Sequence, residues 1–202
     1  MWIKFCGMTR KEDIDFAIEI KANAIGFIFA PSSRQIDCKK AVQLSENIRE
    51  IAKVGVFVDE DINTIKQIRH QCNLDYIQLH GNETPEYCAA LGSGVIKAFR
   101  VKDVTVLEQM SKYSSVEKYL LDAFVPGIAG GTGKQIDVEI LSRLHNWEKI
   151  ILAGGLTPDN ISRILPYNPF GVDINSGVEN KPGIKDHDKM KNIIMIIEQE
   201  MR

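Results

Sequence analysis

The chain has 202 residues and a formal net charge of -2 at pH 7, with 44% hydrophobic and 26% charged residues. These values are ordinary for a globular domain, and they exclude the basic surface that binds nucleic acid and the polybasic patch that binds membranes. No apolar run approaches the ~20 residues of a membrane-spanning helix, and the start runs directly into a predicted strand, without a signal peptide. We therefore expect a cytoplasmic protein with one domain over residues 1–202, no nucleic-acid partner and no membrane partner.

Eight short apolar segments alternate with longer amphipathic segments along the chain. The apolar segments are rich in Val, Ile, Phe and Tyr, as in parallel strands that are buried on both faces. In chain order, the predicted strands cover residues 2–5, 24–29, 54–58, 76–79, 95–99, 119–121, 150–153 and 171–174.

Helix-start signals lie between these strands. Ser, Thr and Asp side chains cap helices by accepting hydrogen bonds from free N–H groups. Glu12 completes a capping box that begins at Thr9, and prolines 85 and 158 follow threonines at the first helical position. The predicted N-cap residues are Thr9, Asp61, Thr84, Asp137, Thr157 and Asp186.

This alternation predicts an α/β fold with a single (β/α)8 TIM barrel. Units of about 25 residues are at the compact end of the range for such barrels. An open doubly wound sheet has the same alternation, but its GxGxxG fingerprint is missing after the first strand. No linker or low-complexity segment divides the chain.

Cysteine and histidine are scattered along the sequence. The four cysteines show no CxxC spacing, and the four histidines form neither an HxH nor an HExxH pair. Disulfide frameworks and zinc sites depend on such spacings. We therefore expect free thiols, a reducing compartment and no metal site.

The residues that follow the strands are the candidate site residues, because TIM-barrel active sites lie at the carboxyl ends of the strands. Cys6 follows the first strand, and the next helix N-terminus is expected to lower the pKa of its thiol. The alternative for Cys6 is a small buried hydrophobic residue. Asp122 ends the sixth strand as a candidate acid or a turn former. Arg34 either binds an anion or is a solvated surface charge. His80 is either a base or a turn residue.

Glycine-rich segments follow the last three strands. Gly154 and Gly155 follow the seventh strand, and Ser176 and Gly177 follow the eighth, where TIM barrels commonly bind phosphate. Tight turns that use the backbone freedom of glycine are the alternative. The long segment 123–135, which contains the GGTG sequence, is predicted to be a mobile lid.

Taken together, the motifs KFCGMT, FAPSSRQI, GVFV, LDYIQLHG, LLDAFVPGIAGGTG, LAGGLTPDN and GVDINSGVENKPGIKD resemble the phosphoribosylanthranilate isomerase family of the tryptophan pathway. They occur in consistent order and spacing from Lys4 to Asp186. One stretch departs from the family pattern, because Ile136-Asp137-Val138 stands where the family usually has an aromatic residue, then Asp and Trp.

The resemblance implies a cofactor-free Amadori rearrangement of a small phosphosugar by a monomer or homodimer. It makes Cys6 the general base and Asp122 the general acid, and it places Arg34 near the anthranilate part of the substrate. It further implies that Gly7 leaves room for the ligand. The remaining implied substrate-binding residues are His80, Gly154, Gly155, Asp173, Ser176 and Gly177.

Other reactions on similar barrels make different demands on the sequence. A triose-phosphate-type isomerase needs Lys, His and Glu after strands one, four and six, of which only His80 is present. A metal-dependent epimerase needs several His and Asp residues at the strand ends, and the related isomerase of histidine synthesis has an internally duplicated chain. A non-catalytic phosphate-binding barrel would be favoured by loss of the acid or the base, but both are present.

Overall fold

The computed structural model describes residues 1–122 and 138–201, with the side chains of 138 and 139 left out. The predicted lid at 123–135 and the predicted cap Asp137 lie outside the described residues. Most of the chain remains, including all eight predicted strands and every predicted site residue.

The eight strands close into one parallel barrel in the order β1 to β8. Each strand pairs with the next, and β8 pairs with β1 in a register that sets Trp2 opposite Gly171. The TIM-barrel prediction is therefore confirmed, and the open sheet is excluded. The strands are β1 (Trp2–Phe5), β2 (Ala24–Ile28), β3 (Ala52–Phe57), β4 (Tyr76–Leu79), β5 (Val95–Arg100), β6 (Lys118–Asp122), β7 (Ile150–Ala153) and β8 (Gly171–Ile174).

Helices cover the outside of the barrel after most strands. They are α1 (Lys11–Glu19), α2 (Cys38–Ser45), α3 (Ile62–Gln71), α4 (Pro85–Ala90), α5 (Thr105–Ser111), α6 (Val138–Arg143) and α7 (His187–Glu200). A 3-10 turn, Ser176–Val178, follows β8 and leads into a hairpin of β9 (Glu179–Lys181) and β10 (Ile184–Lys185).

Three of the predicted helix caps are confirmed by their hydrogen bonds. Asp61 accepts from the N–H groups of Asn63 and Thr64, and Thr84 accepts from that of Tyr87. Asp186 accepts from the N–H of Lys189 at 3.0 Å at the start of α7. These side chains satisfy N–H groups that have no acceptor within their own helix.

Two other predicted caps are wrong. The Thr9 hydroxyl donates to the carbonyl of Gly183 on the β9–β10 hairpin, and Arg10 takes the N-cap position of α1. After β7, the fully described segment 154–170 forms short 3-10 turns at Ile161–Arg163 and Leu165–Tyr167 in place of the predicted α-helix. The Thr157 N–H donates to Asn160 Oδ1 at 2.8 Å. This bond closes residues 157–160 into a turn at the predicted helix start.

The apolar core has two layers. One lies between the strands and the helices, and a smaller one fills the barrel interior with Val54, Ile96, Leu120 and Ile151. Such layers of inward side chains are typical of TIM barrels. The interior also holds three buried polar residues, Lys4, Gln78 and Asp173, whose contacts connect the core to the site described below.

Three cysteines pack among the outer elements. Cys38 begins α2, and its thiol lies 3.2 Å from that of Cys72 at the end of α3. Burial and the neighbouring Cys38 raise the pKa of Cys72 to about 12, and burial raises the pKa of Cys88 on α4 to about 11. All are free thiols, and none stands at the end of a strand.

Asp186→Ala is expected to lower the free energy of unfolding by about 1 kcal/mol, because the first turn of α7 loses its side-chain acceptor. The matched control is Asp188→Ala, which removes an exposed carboxylate from the same first turn. Urea unfolding of both variants measures the difference. Equal losses of unfolding free energy in the two variants would show that negative charge at the helix start, rather than the cap hydrogen bond, stabilises α7.

Candidate active site

The predicted site residues lie at one end of the barrel. Cys6 follows β1, Asp122 ends β6, and His80 follows β4. Because β1 and β6 are separated by β7 and β8 around the ring, Cys6 and Asp122 stand on different sides of the mouth. A ligand that covers the barrel end would lie between them.

The environment of Cys6 differs from the prediction. Cys6 is only 4% exposed, and its backbone N–H donates to the Ile174 carbonyl at 2.8 Å. The expected lowering of its pKa by a helix N-terminus is wrong: α1 begins only at Lys11, and burial raises the pKa of the Cys6 thiol. Two nearby cations, Lys4 and Lys185, oppose that rise.

Lys4 is fully buried inside the barrel. Its Nζ donates to Gln78 Oε1 at 2.7 Å and to Asp173 Oδ2 at 2.8 Å. Burial by itself lowers the pKa of Lys4, but the charges of Asp173 and Cys6 raise it above its ordinary value. The ammonium form is therefore favoured, and Asp173, predicted only as a substrate contact, is also the ion-pair partner of Lys4.

Gln78 connects Lys4 to the side of the barrel mouth on which Asp122 lies. Because an ammonium group only donates, the amide oxygen of Gln78 must face Lys4, and its nitrogen then faces His80 Nδ1 at 3.3 Å. Nδ1 consequently accepts, and the ring proton lies on Nε2, which is 3.3 Å from Asp122 Oδ2. His80 is thus more than a turn residue, since it connects Gln78 with the candidate acid.

Arg34 is held by a carboxylate that the sequence analysis missed. Its Nε lies 2.9 Å from Glu179 Oε1, and its Nη2 lies 2.6 Å from Glu179 Oε2. Glu179 also receives Lys185 Nζ at 3.0 Å. Hydrogen bonding to Glu179 raises the pKa of Arg34, while burial lowers that of Lys185. Arg34 is therefore a cation whose position is fixed by Glu179, and its Nη1 lies 3.5 Å from the Ser33 hydroxyl.

Gly7 packs closely against two neighbouring side chains. Its φ is +73°, and a Cβ at this position would lie 2.8 Å from both Arg34 Cδ and Asn175 Oδ1. Protein side chains therefore occupy the space beside Gly7. The glycine is required by the backbone conformation and by the close approach of these two residues.

The two glycine-rich loops after β7 and β8 pack against each other. A Cβ on Gly177 would lie 1.7 Å from the carbonyl oxygen of Leu156, so the second loop crosses the first in direct contact. Gly154 and Gly155 have φ values of +94° and +65°, and a Cβ on Gly155 would meet open space. Asn160 Nδ2 donates to the Gly155 carbonyl at 2.9 Å and fixes the first loop.

Within residues 1–122 and 138–201, no group of three His, Cys, Asp or Glu side chains is arranged to hold a metal ion. In the same part of the chain, no helix has the length and apolar character needed to cross a membrane.

Comparison with known proteins gives consistent results. The family model for N-(5'-phosphoribosyl)anthranilate isomerase matches residues 3–195. The N-(5'-phosphoribosyl)anthranilate isomerase of Geotalea uraniireducens is 42% identical over 195 residues, covering 95% of this chain and 96% of the relative.

Solved structures agree in fold. Phosphoribosyl anthranilate isomerase from Thermotoga maritima superposes with a TM-score of 0.86 at 34% identity and covers 98% of this chain and 99% of its own. A phosphoribosyl anthranilate isomerase in complex with reduced 1-(o-carboxyphenylamino)-1-deoxyribulose 5-phosphate superposes with a TM-score of 0.84, with the same identity and coverage. Since both the family model and a relative of this identity span nearly the entire chain, this protein belongs to the N-(5'-phosphoribosyl)anthranilate isomerase family.

Proposed function

We propose that this protein converts N-(5-phosphoribosyl)anthranilate to 1-(2-carboxyphenylamino)-1-deoxyribulose 5-phosphate in tryptophan biosynthesis, without a cofactor. The observation that carries the proposal is the placement of a thiol and a carboxyl group, Cys6 and Asp122, on different sides of one barrel mouth. The reaction needs one acid and one base that reach the sugar from different directions. Family membership supports the same substrate.

Asp122 acts first, as the general acid. Its carboxyl proton passes to the ring oxygen of the ribose while the C1′–O bond breaks and the lone pair of the anthranilate nitrogen forms the C=N bond. This step leaves an open-chain protonated Schiff base and an Asp122 carboxylate. His80 supports this role by orienting the carboxyl group, because its Nε2 lies 3.3 Å from Asp122 Oδ2.

Cys6 acts second, as the general base. Its thiolate removes the proton from C2′, the C–H electrons form a C1′=C2′ bond, and the C=N electrons return to nitrogen. The resulting enolamine tautomerises to the ketone as C1′ gains a proton and the C2′ hydroxyl loses one. The cations Lys4 and Lys185 favour the thiolate that this step requires.

The remaining side chains supply binding energy and orientation. Gly154, Gly155, Ser176 and Gly177 offer a backbone surface that a phosphate group can approach. Arg34 is suited to the anthranilate carboxylate, because its guanidinium is fixed by Glu179. Among the described residues, Asp173 Oδ1 is buried without a hydrogen-bond partner, which suits a substrate O–H or N–H donor.

The direct test adds purified protein to phosphoribosylanthranilate and follows the loss of its fluorescence. We expect turnover without added metal or cofactor and none with Cys6→Ser. A correctly folded wild-type protein that leaves the fluorescence unchanged would refute the proposal.

Glu179→Gln is expected to raise KM by about tenfold and to change kcat less, because Arg34 loses a charged, two-point hydrogen-bond partner. The matched control is Glu12→Gln, which neutralises an exposed carboxylate on α1 that pairs with another arginine, the N-cap residue Arg10. Steady-state kinetics of both variants provide the measurement. An unchanged KM in Glu179→Gln would separate Arg34 from substrate binding.

A further inference from the structure

Lys4 is a buried charge that stability does not explain. Lys4 is 0% exposed, and its ammonium group is paired with Asp173 in the barrel interior. Desolvating such a pair costs about as much as its attraction returns, and apolar side chains of similar volume often serve stability equally well. The pair therefore suggests a role for the ammonium group in the site above it.

The geometry brings the end of Lys4 to the thiol of Cys6. Lys4 lies in β1 and Cys6 lies two positions further along, directly after the strand, so alternation places their side chains on the same face. Both meet over Gly26 of β2: a Cβ on that glycine would lie 2.7 Å from Cys6 Sγ and 2.9 Å from Lys4 Cε. The missing side chain of Gly26 is what allows the ammonium group and the thiol to approach each other.

Charged groups from every neighbouring element act on Cys6. β1 supplies Lys4, β8 supplies Asp173, the β2 loop supplies Arg34, and the β9–β10 hairpin supplies Lys185. Glu179 of the same hairpin is the ion-pair partner of both Arg34 and Lys185. Three cations thus stand against two carboxylates, and His80 lies beyond Gln78. One thiolate brings these five charged groups to zero net charge, and Lys4 is the cation whose side chain lies on the same face of β1 as the sulfur.

We propose that Lys4 is a positioning residue, whose buried ammonium group stabilises and orients the Cys6 thiolate from inside the barrel, while Gln78 ties it to His80 and the acid. This inference rests on the proposed function, which makes Cys6 the base. Gln78 contacts both Lys4 and His80: its side-chain oxygen accepts from Lys4 Nζ, and its side-chain nitrogen fixes the His80 tautomer. Strand-end position alone does not predict this connection between Cys6 and Asp122.

The test measures the ionisation of Cys6 without any substrate. Thiolate absorbance in the ultraviolet is titrated with pH, and the same titration of Cys6→Ser is subtracted as background. Lys4→Met removes the cation and is expected to raise the ionisation midpoint by at least about one unit, a tenfold loss of thiolate below the midpoint. Asp173→Asn removes the opposing carboxylate and is expected to lower the midpoint.

Kinetics provide a second readout that a merely structural role would not move. We expect kcat of Lys4→Met to fall by at least about tenfold at neutral pH and to recover as the pH rises, with KM changed by less than about threefold. A kcat loss that does not recover at alkaline pH would overturn the proposal.

The matched control is Lys97→Met. Lys97 is also buried on a barrel strand and is paired with Glu83 at 2.9 Å, so its loss breaks a similar ion pair away from β1. It is expected to reduce stability but to leave the Cys6 midpoint unchanged. Equal midpoint shifts in Lys4→Met and Lys97→Met, or no shift in either, would overturn the proposal.

Two further outcomes remain decisive. Where Lys4→Met does not fold, Asp173→Asn decides alone, because a midpoint that stays or rises contradicts the inference. Where the midpoints shift as expected but wild-type protein does not consume phosphoribosylanthranilate, the proposed reaction fails and the Lys4–Cys6 coupling stands.

Discussion

Cys6→Ser and Asp122→Asn are each expected to lower kcat by at least about 10³, with much smaller changes in substrate affinity. General acid and general base groups contribute rate factors of this order, while the phosphate and carboxylate contacts that hold the substrate remain. Single-turnover rates and ligand affinity, measured separately, distinguish the two effects. Near-normal turnover in Cys6→Ser would remove the base from the mechanism and return Cys6 to a packing role.

The other cysteines are the controls for this experiment. Cys88→Ser is the best matched, because Cys88 is equally buried but lies on α4, away from the strand ends. Cys38→Ser and Cys72→Ser are also expected to stay near wild type in kcat. Activity lost on any of these substitutions would point to general damage by removal of a thiol.

The pH dependence follows from the environment of Cys6. Burial raises the pKa of its thiol, so the thiolate is a minority form at neutral pH and increases as the pH rises. The rate of the wild-type enzyme is therefore expected to rise on the alkaline side, and this rise is expected to be lost with Cys6→Ser.

Gly155→Val is expected to weaken the binding of substrate and of inorganic phosphate by about a hundredfold, because charged hydrogen bonds to the loop backbone are lost. The side chain would project into space that is open in the protein and that the phosphate is proposed to occupy. Competition by inorganic phosphate in the kinetic assay measures the effect.

Gly92→Val is the matched control for Gly155→Val. Gly92 has a φ of +78° and also faces open space, but it lies between α4 and β5, away from the proposed phosphate loops. Both substitutions therefore introduce similar backbone strain. If Gly92→Val weakened phosphate competition as much as Gly155→Val, the effect would come from strain and the phosphate assignment would fail.

The barrel was predictable because its signal is local. Each strand is a short apolar run, and a strand buried on both faces needs no partner to be recognised. Caps such as Asp61 and Asp186 were predictable for the same reason, since the N–H groups that donate to them lie within three residues. The segment after β7 has the same cap-and-proline signal, but Asn160 closes it into a turn.

The candidate site was only partly predictable, because its contacts join distant parts of the chain. Residues at strand ends could be named from the barrel alone. The partners of those residues could not, since Lys4 meets Asp173 across 169 residues and Arg34 meets Glu179 across 145. Alternation along a strand assigns a side chain to a face, but it does not reveal which charge it will meet there.

The same separations have a consequence for the order of folding. The surroundings of Cys6 are completed by Asp173, Glu179 and Lys185, which a ribosome releases long after Cys6 itself. Until β8 and the β9–β10 hairpin join β1, Lys4 has no carboxylate partner and cannot be buried cheaply. The charged surroundings of Cys6 therefore form only after β8 and the β9–β10 hairpin have joined the barrel.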